Sequence, residues 1–286
     1  MKDKICLITG GTNGIGRSTA HELASKGATV VIVGRDARKT SQVVEEIRRA
    51  SGNDTVDSLL ADLSSQQEVR RLANEFETKY SHLDVLLNNA GAVFMQRQLS
   101  VDGIEMTFAL NHLASFLLTN LLLDKIKASA PARIINVSSG AHTSGKIEFD
   151  NLQGELTFSS RAYGNSKLAT ILFTMELARR LEGTGVTANA LHPGFVSTGF
   201  GKNNPGFLMK VIRAVVPLIA RSPEKGAETS IYLASSPDVQ SITGRYFVDC
   251  KLTQPAPLAT NTVVARKLWD ISAEMVHLAD GLPAKT

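Results

Sequence analysis

Along the chain, short runs that are apolar at nearly every position alternate with longer stretches in which apolar residues recur every three or four places. The runs are 4–9 (KICLIT), 28–34 (ATVVIVG), 56–61, 83–88 (LDVLLN), 132–138 (ARIINVS), 186–192 (VTANALH) and 246–248. Strands apolar at every position are expected where helices cover both faces of a parallel sheet. The helical periods lie near 14–26, 37–50, 65–79, 103–129, 161–182 and 223–235. Strand and helix alternating in this way predict an α/β fold: a doubly wound parallel sheet of about seven strands with helices on both faces. No repeat or Pro/Gly/Ser-rich linker divides the chain, so residues 1–286 read as a single domain.

Three segments depart from the alternation. Residues 140–160 form a long insertion between a strand and a helix, and long ordered loops tend to be functional. Residues 195–222 contain FLMKVIRAVVPLIA, in which Phe207, Leu208, Val211, Ile212, Val215 and Ile219 share one helical face and Lys210 and Arg213 the other. Three readings stand for this segment: a lid over an apolar substrate, a helix packed on the core, or a membrane-surface contact, the last not favoured. A C-terminal helical extension is expected over about 255–280.

Composition narrows the classes. Hydrophobic residues make up 43% and charged residues 20% of the 286 positions, which suits a soluble domain with a full core. The formal net charge of +4 is spread by interleaved acidic and basic residues, unlike the clustered basic faces of nucleic-acid binders. No nucleic-acid partner is therefore expected. Two cysteines, Cys6 and Cys250, make neither a disulfide framework nor a Cys-rich metal site, and the six histidines show no paired ligand spacing. No signal-like leader and no stretch of about 18 apolar residues is present, so the expected location is cytoplasmic.

The first apolar run leads into Thr9-Gly10-Gly11-Thr12-Asn13-Gly14-Ile15-Gly16 and then a helix. Glycine is needed where backbone turns sharply and must approach a pyrophosphate without a Cβ in the way, and the helix N-terminus offers unpaired N–H groups to that phosphate. Between a strand and a helix of a βαβ unit, such a loop is a dinucleotide-binding signal. Sites for NAD place an acid at the end of the second strand; here the stretch is Val33-Gly34-Arg35-Asp36. Gly34 leaves room for a 2′-phosphate and the Arg35 guanidinium can bind it bidentately, so NADP(H) is favoured over NAD(H), with Asp36 the competing ribose ligand. Asp62-Leu63 follows the third strand near an adenine edge, and Asn88-Asn89-Ala90-Gly91 closes the fourth; both also read as ordinary turn chemistry.

Of the four tyrosines, only Tyr163 has a lysine four residues on, Lys167, which shares its helical face. The helix follows the Ser138-Ser139 pair and precedes His192-Pro193-Gly194. A phenol near pKa 10 is a poor proton shuttle near neutrality; a close lysine charge in a dry pocket would lower it. A serine hydroxyl at the strand end would polarise a substrate oxygen, and strand register decides between Ser138 and Ser139.

In this order, the Gly loop, Asn88–Gly91, Asn111, Ser139, Tyr163/Lys167 and Pro193-Gly194 resemble the short-chain dehydrogenase/reductase family over essentially the whole chain. The stretches NHLASFLLTNLLL, FDNLQGE, SKLATILFTMELARRL, LHPGFVSTGF and LWDIS look most like its retinol-dehydrogenase and WW-domain-oxidoreductase branch, which has relatives of protochlorophyllide reductase. The resemblance implies a catalytic set of Asn111, Ser139, Tyr163 and Lys167, with Asn111 acting on Lys167 through water. It implies a cofactor set of Gly10, Thr12, Asn13, Gly14, Ile15, Gly16, Arg35, Asp62, Leu63, Asn89, Ala90, Gly91, Tyr163, Lys167, Pro193, Gly194, Val196 and Thr198, with Lys167 on the nicotinamide ribose. The activity so expected is NADP(H)-dependent hydride transfer between the nicotinamide and an apolar ketone, aldehyde or retinoid-like alcohol. A C=C reductase of the protochlorophyllide-reductase type and a non-catalytic NADP(H)-binding interaction protein are the alternatives. The helices at 103–129 and 161–182 are apolar over more than one face and the family pairs them between subunits, which implies a homo-oligomer, dimer or tetramer.

Overall fold

The computed structural model describes residues 1–159, 161–196 and 220–278. Eight strands form one sheet: β1 (Ile5–Thr9), β2 (Thr29–Gly34), β3 (Val56–Leu60), β4 (Val85–Asn88), β5 (Ala132–Val137), β6 (Val186–His192), β7 (Arg245–Val248) and β8 (Lys251–Thr253), in the order β3-β2-β1-β4-β5-β6-β7-β8. All pairings are parallel except β7–β8. The eighth strand goes beyond the seven expected. It is a three-residue, wholly exposed edge reached through Asp249 and Cys250, both at positive φ, and neither its length nor its turn residues carry a strand signal.

Successive side chains of a strand point to opposite faces, so the apolar runs supply two cores at once. Leu7, Val31 and Leu86 belong to one cluster; Cys6, Ile8, Ile32 and Leu87 belong to the other. Burial pushes the Cys6 thiol up to about 12, which keeps it inert in the core. Helices α1 (Gly14–Ser25) and α2 (Ala37–Ser51) and the later α8 (Pro223–Ser235) line the second cluster. Helix α3 (Gln66–Lys79) packs against the first.

The 103–129 segment is not one helix. A short α4 (Met106–Phe108) passes into a π-helical turn, Ala109–Leu113, then α5 (Ala114–Leu121) and α6 (Leu123–Ala128). The Glu105 carboxylate accepts from the N–H groups of Thr107 and Phe108 at 2.8 Å each and so fixes the start at 106. Helix α7 (Ala162–Arg180) then leads to β6.

After β8 the chain makes a 3₁₀ turn, Pro257–Thr260, and helix α9 (Thr262–Met275), which lies on α7. Trp269 of α9 meets Phe116 edge-on at 4.9 Å and Phe173 at 5.7 Å, and the Arg180 guanidinium sits 4.2 Å over its ring. The second apolar face of α5 and α7, which suggested a subunit contact, is thus covered by the chain's own C-terminal helix. Among the described residues, no helix is long and apolar enough to cross a membrane. The 207–219 face proposed as a lid and Thr198 lie outside the described residues.

Candidate active site

In the sheet, Thr9 follows the Ile8–Leu87 pair, Asn88 pairs with Asn136, and Asn136 with Ala190, so β1, β4, β5 and β6 end along one line. Strand order reverses between β1 and β4. Ligands of open α/β sheets bind at that crevice, outside the carboxyl ends.

The Gly loop is built for close backbone approach. Gly10 has φ +65° and Gly14 φ +51°. A Cβ on Gly16 would lie 2.4 Å from the Gly10 carbonyl oxygen, and one on Gly10 would lie 3.0 Å from the Ala90 Cα. Asn13 precedes α1 with no side-chain cap, and the first turn carries no acid, so its N–H groups and positive dipole end are left for an anion. Thr9 and Asn89 lock the loop to β4. The Thr9 hydroxyl accepts from the Asn89 and Ala90 N–H groups at 2.9 and 3.0 Å, while Asn89 Nδ2 donates to the Thr9 and Gly10 carbonyls at 2.9 and 3.2 Å. Asn89 therefore shapes the loop through its own bonds.

At the end of β2, a Cβ on Gly34 would meet Thr40 Oγ1 at 2.2 Å and Thr12 Cγ2 at 2.7 Å. Close packing of Thr40 and Thr12 therefore requires glycine there, a reason the sequence did not reveal. Arg35 is exposed beside it, with Arg38 and Lys39. The Asp36 carboxylate caps α2 by accepting from the Lys39 N–H at 2.8 Å. Asp62 accepts from the Ser64 N–H at 3.0 Å and its hydroxyl at 2.7 Å, an Asx turn, and Leu63 is buried in the core.

Three of the predicted catalytic side chains converge. Ser138 is buried, and its hydroxyl donates to the Lys167 carbonyl at 2.8 Å. Ser139 points the other way: its Oγ accepts from the Ala141 N–H at 3.2 Å and hydrogen-bonds the Tyr163 phenol. Strand alternation separates the two serines. Tyr163 stands in the first turn of α7, and Lys167 Nζ lies 5.7 Å from its ring centre, donating to the Val137 carbonyl at 2.9 Å. Burial pushes the phenol up to about 12, opposed by the Ser139 bond, and pulls the Lys167 ammonium down to about 8. Among this chain's own groups, burial outweighs the expected lowering of the phenol by the lysine.

Asn111 holds these parts from behind. It lies in the π-turn, buried, with Oδ1 accepting from the Ala92 N–H at 2.8 Å and Nδ2 donating to the Ala92 carbonyl at 2.9 Å and Ser166 Oγ at 3.0 Å. Ser166 Oγ in turn donates to the Tyr163 carbonyl at 2.8 Å. Gly91 is the close point: a Cβ there would lie 3.1 Å from Asn111 Oδ1 and 3.3 Å from Lys167 Nζ. Beyond β6 and Pro193, Gly194 has φ +84° and lies beneath Arg221, which pairs with Asp249. Val196 bridges Arg221 and would meet a Gly226 Cβ at 2.5 Å; Ile15 of α1 would meet the same Cβ at 3.3 Å, so Gly226 of α8 sits close to both.

Two further groups were not assigned from sequence. His192 Nδ1 accepts from the Gly140 N–H at 3.0 Å, and its pKa is lowered by burial and by Arg221. His142, also lowered by burial, contacts the Ser139 carbonyl. Neither has a spacing that could have revealed it. Among the described residues, no cluster of three or more His, Cys, Asp or Glu is placed to hold a metal.

A glycine-cradled helix N-terminus at the switch point, with Ser139, Tyr163 and Lys167 beside it, defines a nicotinamide-dinucleotide-dependent oxidoreductase of the doubly wound α/β class. The chain belongs to the short-chain dehydrogenase family, whose model matches residues 4–206. It is 45% identical to retinol dehydrogenase 14 of Mus musculus over 97% of this chain and 87% of that protein. Among solved structures, an uncharacterised protein of Mycobacterium paratuberculosis superposes with a TM-score of 0.78 at 30% identity, covering 99% of this chain and 96% of that one. The RhlG/NADP active-site complex of Pseudomonas aeruginosa does so with a TM-score of 0.68 at 30% identity, covering 86% and 94%. The protein is thus an oxidoreductase acting on CH–OH or C=O groups and related to retinol dehydrogenases.

Proposed function

We propose that the protein is an NADP(H)-dependent oxidoreductase that interconverts an apolar alcohol with its aldehyde or ketone, Tyr163 moving the proton at oxygen. The carrying observation is the Ser139–Tyr163 hydrogen bond beside the buried Lys167 ammonium, at the end of β5. The Gly loop and the uncapped start of α1 fit the pyrophosphate; when bound, the nicotinamide supplies or accepts the hydride. Tyr163, held protonated at neutral pH, is in the form that donates to a carbonyl oxygen, and Ser139 holds that oxygen in place. In the oxidative direction the Lys167 charge favours the phenolate.

NADP(H) is supported by the end of β2, where Arg35, Arg38 and Lys39 are exposed and Asp36 spends one carboxylate oxygen on capping α2. An apolar substrate is supported by the loops after β4, β5 and β6, which expose Met95 (56%), Leu156 (72%) and Phe195 (57%), and by the retinol dehydrogenases to which the chain is similar.

The test is turnover of medium-chain and retinoid aldehydes with NADPH and with NADH, repeated in Tyr163→Phe. Turnover with NADPH exceeds that with NADH, and the variant loses about 10²–10⁴-fold in kcat with NADPH binding retained. Undiminished turnover in the variant would remove Tyr163 from the proton step.

A further inference from the structure

The C-terminal segment does more than cover α5 and α7, because two of its polar contacts run to histidines that adjoin the site. His142 lies three residues beyond Ser139, buried, its ring edge-on to Tyr246 at 5.1 Å. Its Nε2 accepts from the Ala256 N–H at 3.1 Å, and this bond leaves Nδ1 as the N–H that donates to the Ser139 carbonyl at 2.7 Å. One imidazole thus joins the backbone of Ser139 to the start of the segment.

A second histidine ties the segment to the π-turn, which also packs against α7. His112 follows Asn111 in the π-turn and is buried, with Phe108, Phe116 and Phe173 ring centres at 4.9, 6.1 and 6.2 Å. Its Nε2 lies 2.8 Å from Ser272 Oγ of α9, and its Nδ1 has no partner among the described residues. An apolar side chain would fill this aromatic box without burying an unpaired nitrogen, so the imidazole is retained at a cost that packing alone does not explain. The far end of the segment is fastened too, the Met275 carbonyl accepting from Gln66 Nε2 at 2.9 Å and the Val276 carbonyl from Arg70 at 2.5 Å.

We propose that segment 254–278 is a positioning element of the active site, holding Ser139 through His142 and the Asn111 turn through His112. It rests on the reading of Ser139 and Asn111 as site residues. Hydrogen bonds made by buried polar groups specify one orientation where apolar contacts tolerate several, and small displacements at reacting groups are costly in rate.

Ala256→Pro isolates the first link. Ala256 has φ −54°, which proline adopts, and the proline Cδ takes the place of the N–H that faces His142 Nε2, so the substitution abolishes this bond and displaces the imidazole. Ser272→Ala isolates the second, and Val263→Ala, on the exposed side of α9 (74% exposed), is the control. The readouts are hydrogen–deuterium exchange, kcat, KM and NADPH affinity. In Ala256→Pro, exchange in 138–145 accelerates about tenfold and kcat falls about five- to tenfold, while NADPH affinity stays within about twofold. In Ser272→Ala, the same changes appear with the acceleration in 108–113. Unchanged exchange in these segments, or accelerated exchange with kcat held, overturns the proposal. If Ala256→Pro folds poorly, Ser272→Ala decides alone. If the unaltered protein reduces no carbonyl with NADPH, the functional reading fails by itself; segment-confined acceleration then still supports the coupling and its absence overturns it.

Discussion

Tyr163 and Lys167 stand four residues apart on one helix, so their meeting was legible from the chain, but their protonation was not. Burial drives both toward their neutral forms, the phenol up to about 12 and the ammonium down to about 8. The folded pKa of Lys167 lies below its ordinary 10.5, so the native state releases this proton first as pH rises. The buried ammonium therefore costs stability below pH 8, and the cost is relieved between pH 8 and 10.5. The gap corresponds to up to about 3 kcal/mol. Lys167→Met should raise the unfolding free energy of the cofactor-free protein at pH 7 by up to that amount, with the gain vanishing above pH 10.5 and turnover lost. Urea melts at the two pH values measure it, and equal stability at pH 7 would mean that the ammonium is well solvated. The choice of Ser139 over Ser138 is likewise a residue-scale outcome. Two adjacent serines offer the same chemistry, and only the register of β5 against α7 sends one to the Lys167 carbonyl and the other to the phenol.

At the scale of elements, the strand–Gly loop–helix unit was readable because its causes are local: an apolar strand, glycines at positive φ and a helix start without a cap. Gly16→Ala tests it. The new Cβ would lie 2.4 Å from the Gly10 oxygen and 2.5 Å from Asn89 Nδ2, so the loop must shift. The expected outcome is a loss of about 1–3 kcal/mol in stability and at least about tenfold in NADPH affinity, measured by thermal melting and fluorescence titration. Retention of full affinity would exclude this loop as the pyrophosphate site. Other elements were not readable. The 103–129 period is continuous in apolar residues, yet the Glu105 cap and the π-turn divide it, and the π-turn sets Asn111 against Ala92 and Ser166. The polar ladder in which Asn88 donates to Thr119 and Asn136, and Asn136 to Thr174, crosses from sheet to helices inside the core. A buried Asn in an apolar run signals no partner by itself.

For the whole molecule, the C-terminal segment changes how the apolar helices are understood. Their second faces meet Trp269 and the rest of α9, so the chain meets within itself the burial that resemblance assigned to a partner subunit. Gel filtration with light scattering reads the oligomeric state; a dimer or tetramer, which the resemblance implies, would form on surfaces other than these covered faces. By itself, the sequence determined the alternation of strand and helix, the phosphate loop and the Tyr163/Lys167 pair. Each depends on periodicity or on residues within one turn of one another. Tertiary structure alone decided which serine faces the phenol, what Asn111 holds, why Gly34 must be glycine and how the C-terminal segment reaches the site. Those outcomes rest on contacts such as His142 with Ala256 and His112 with Ser272, separated by 114 and 160 positions along the chain. No local pattern encodes such pairs, because they meet only after the sheet and its helices have formed.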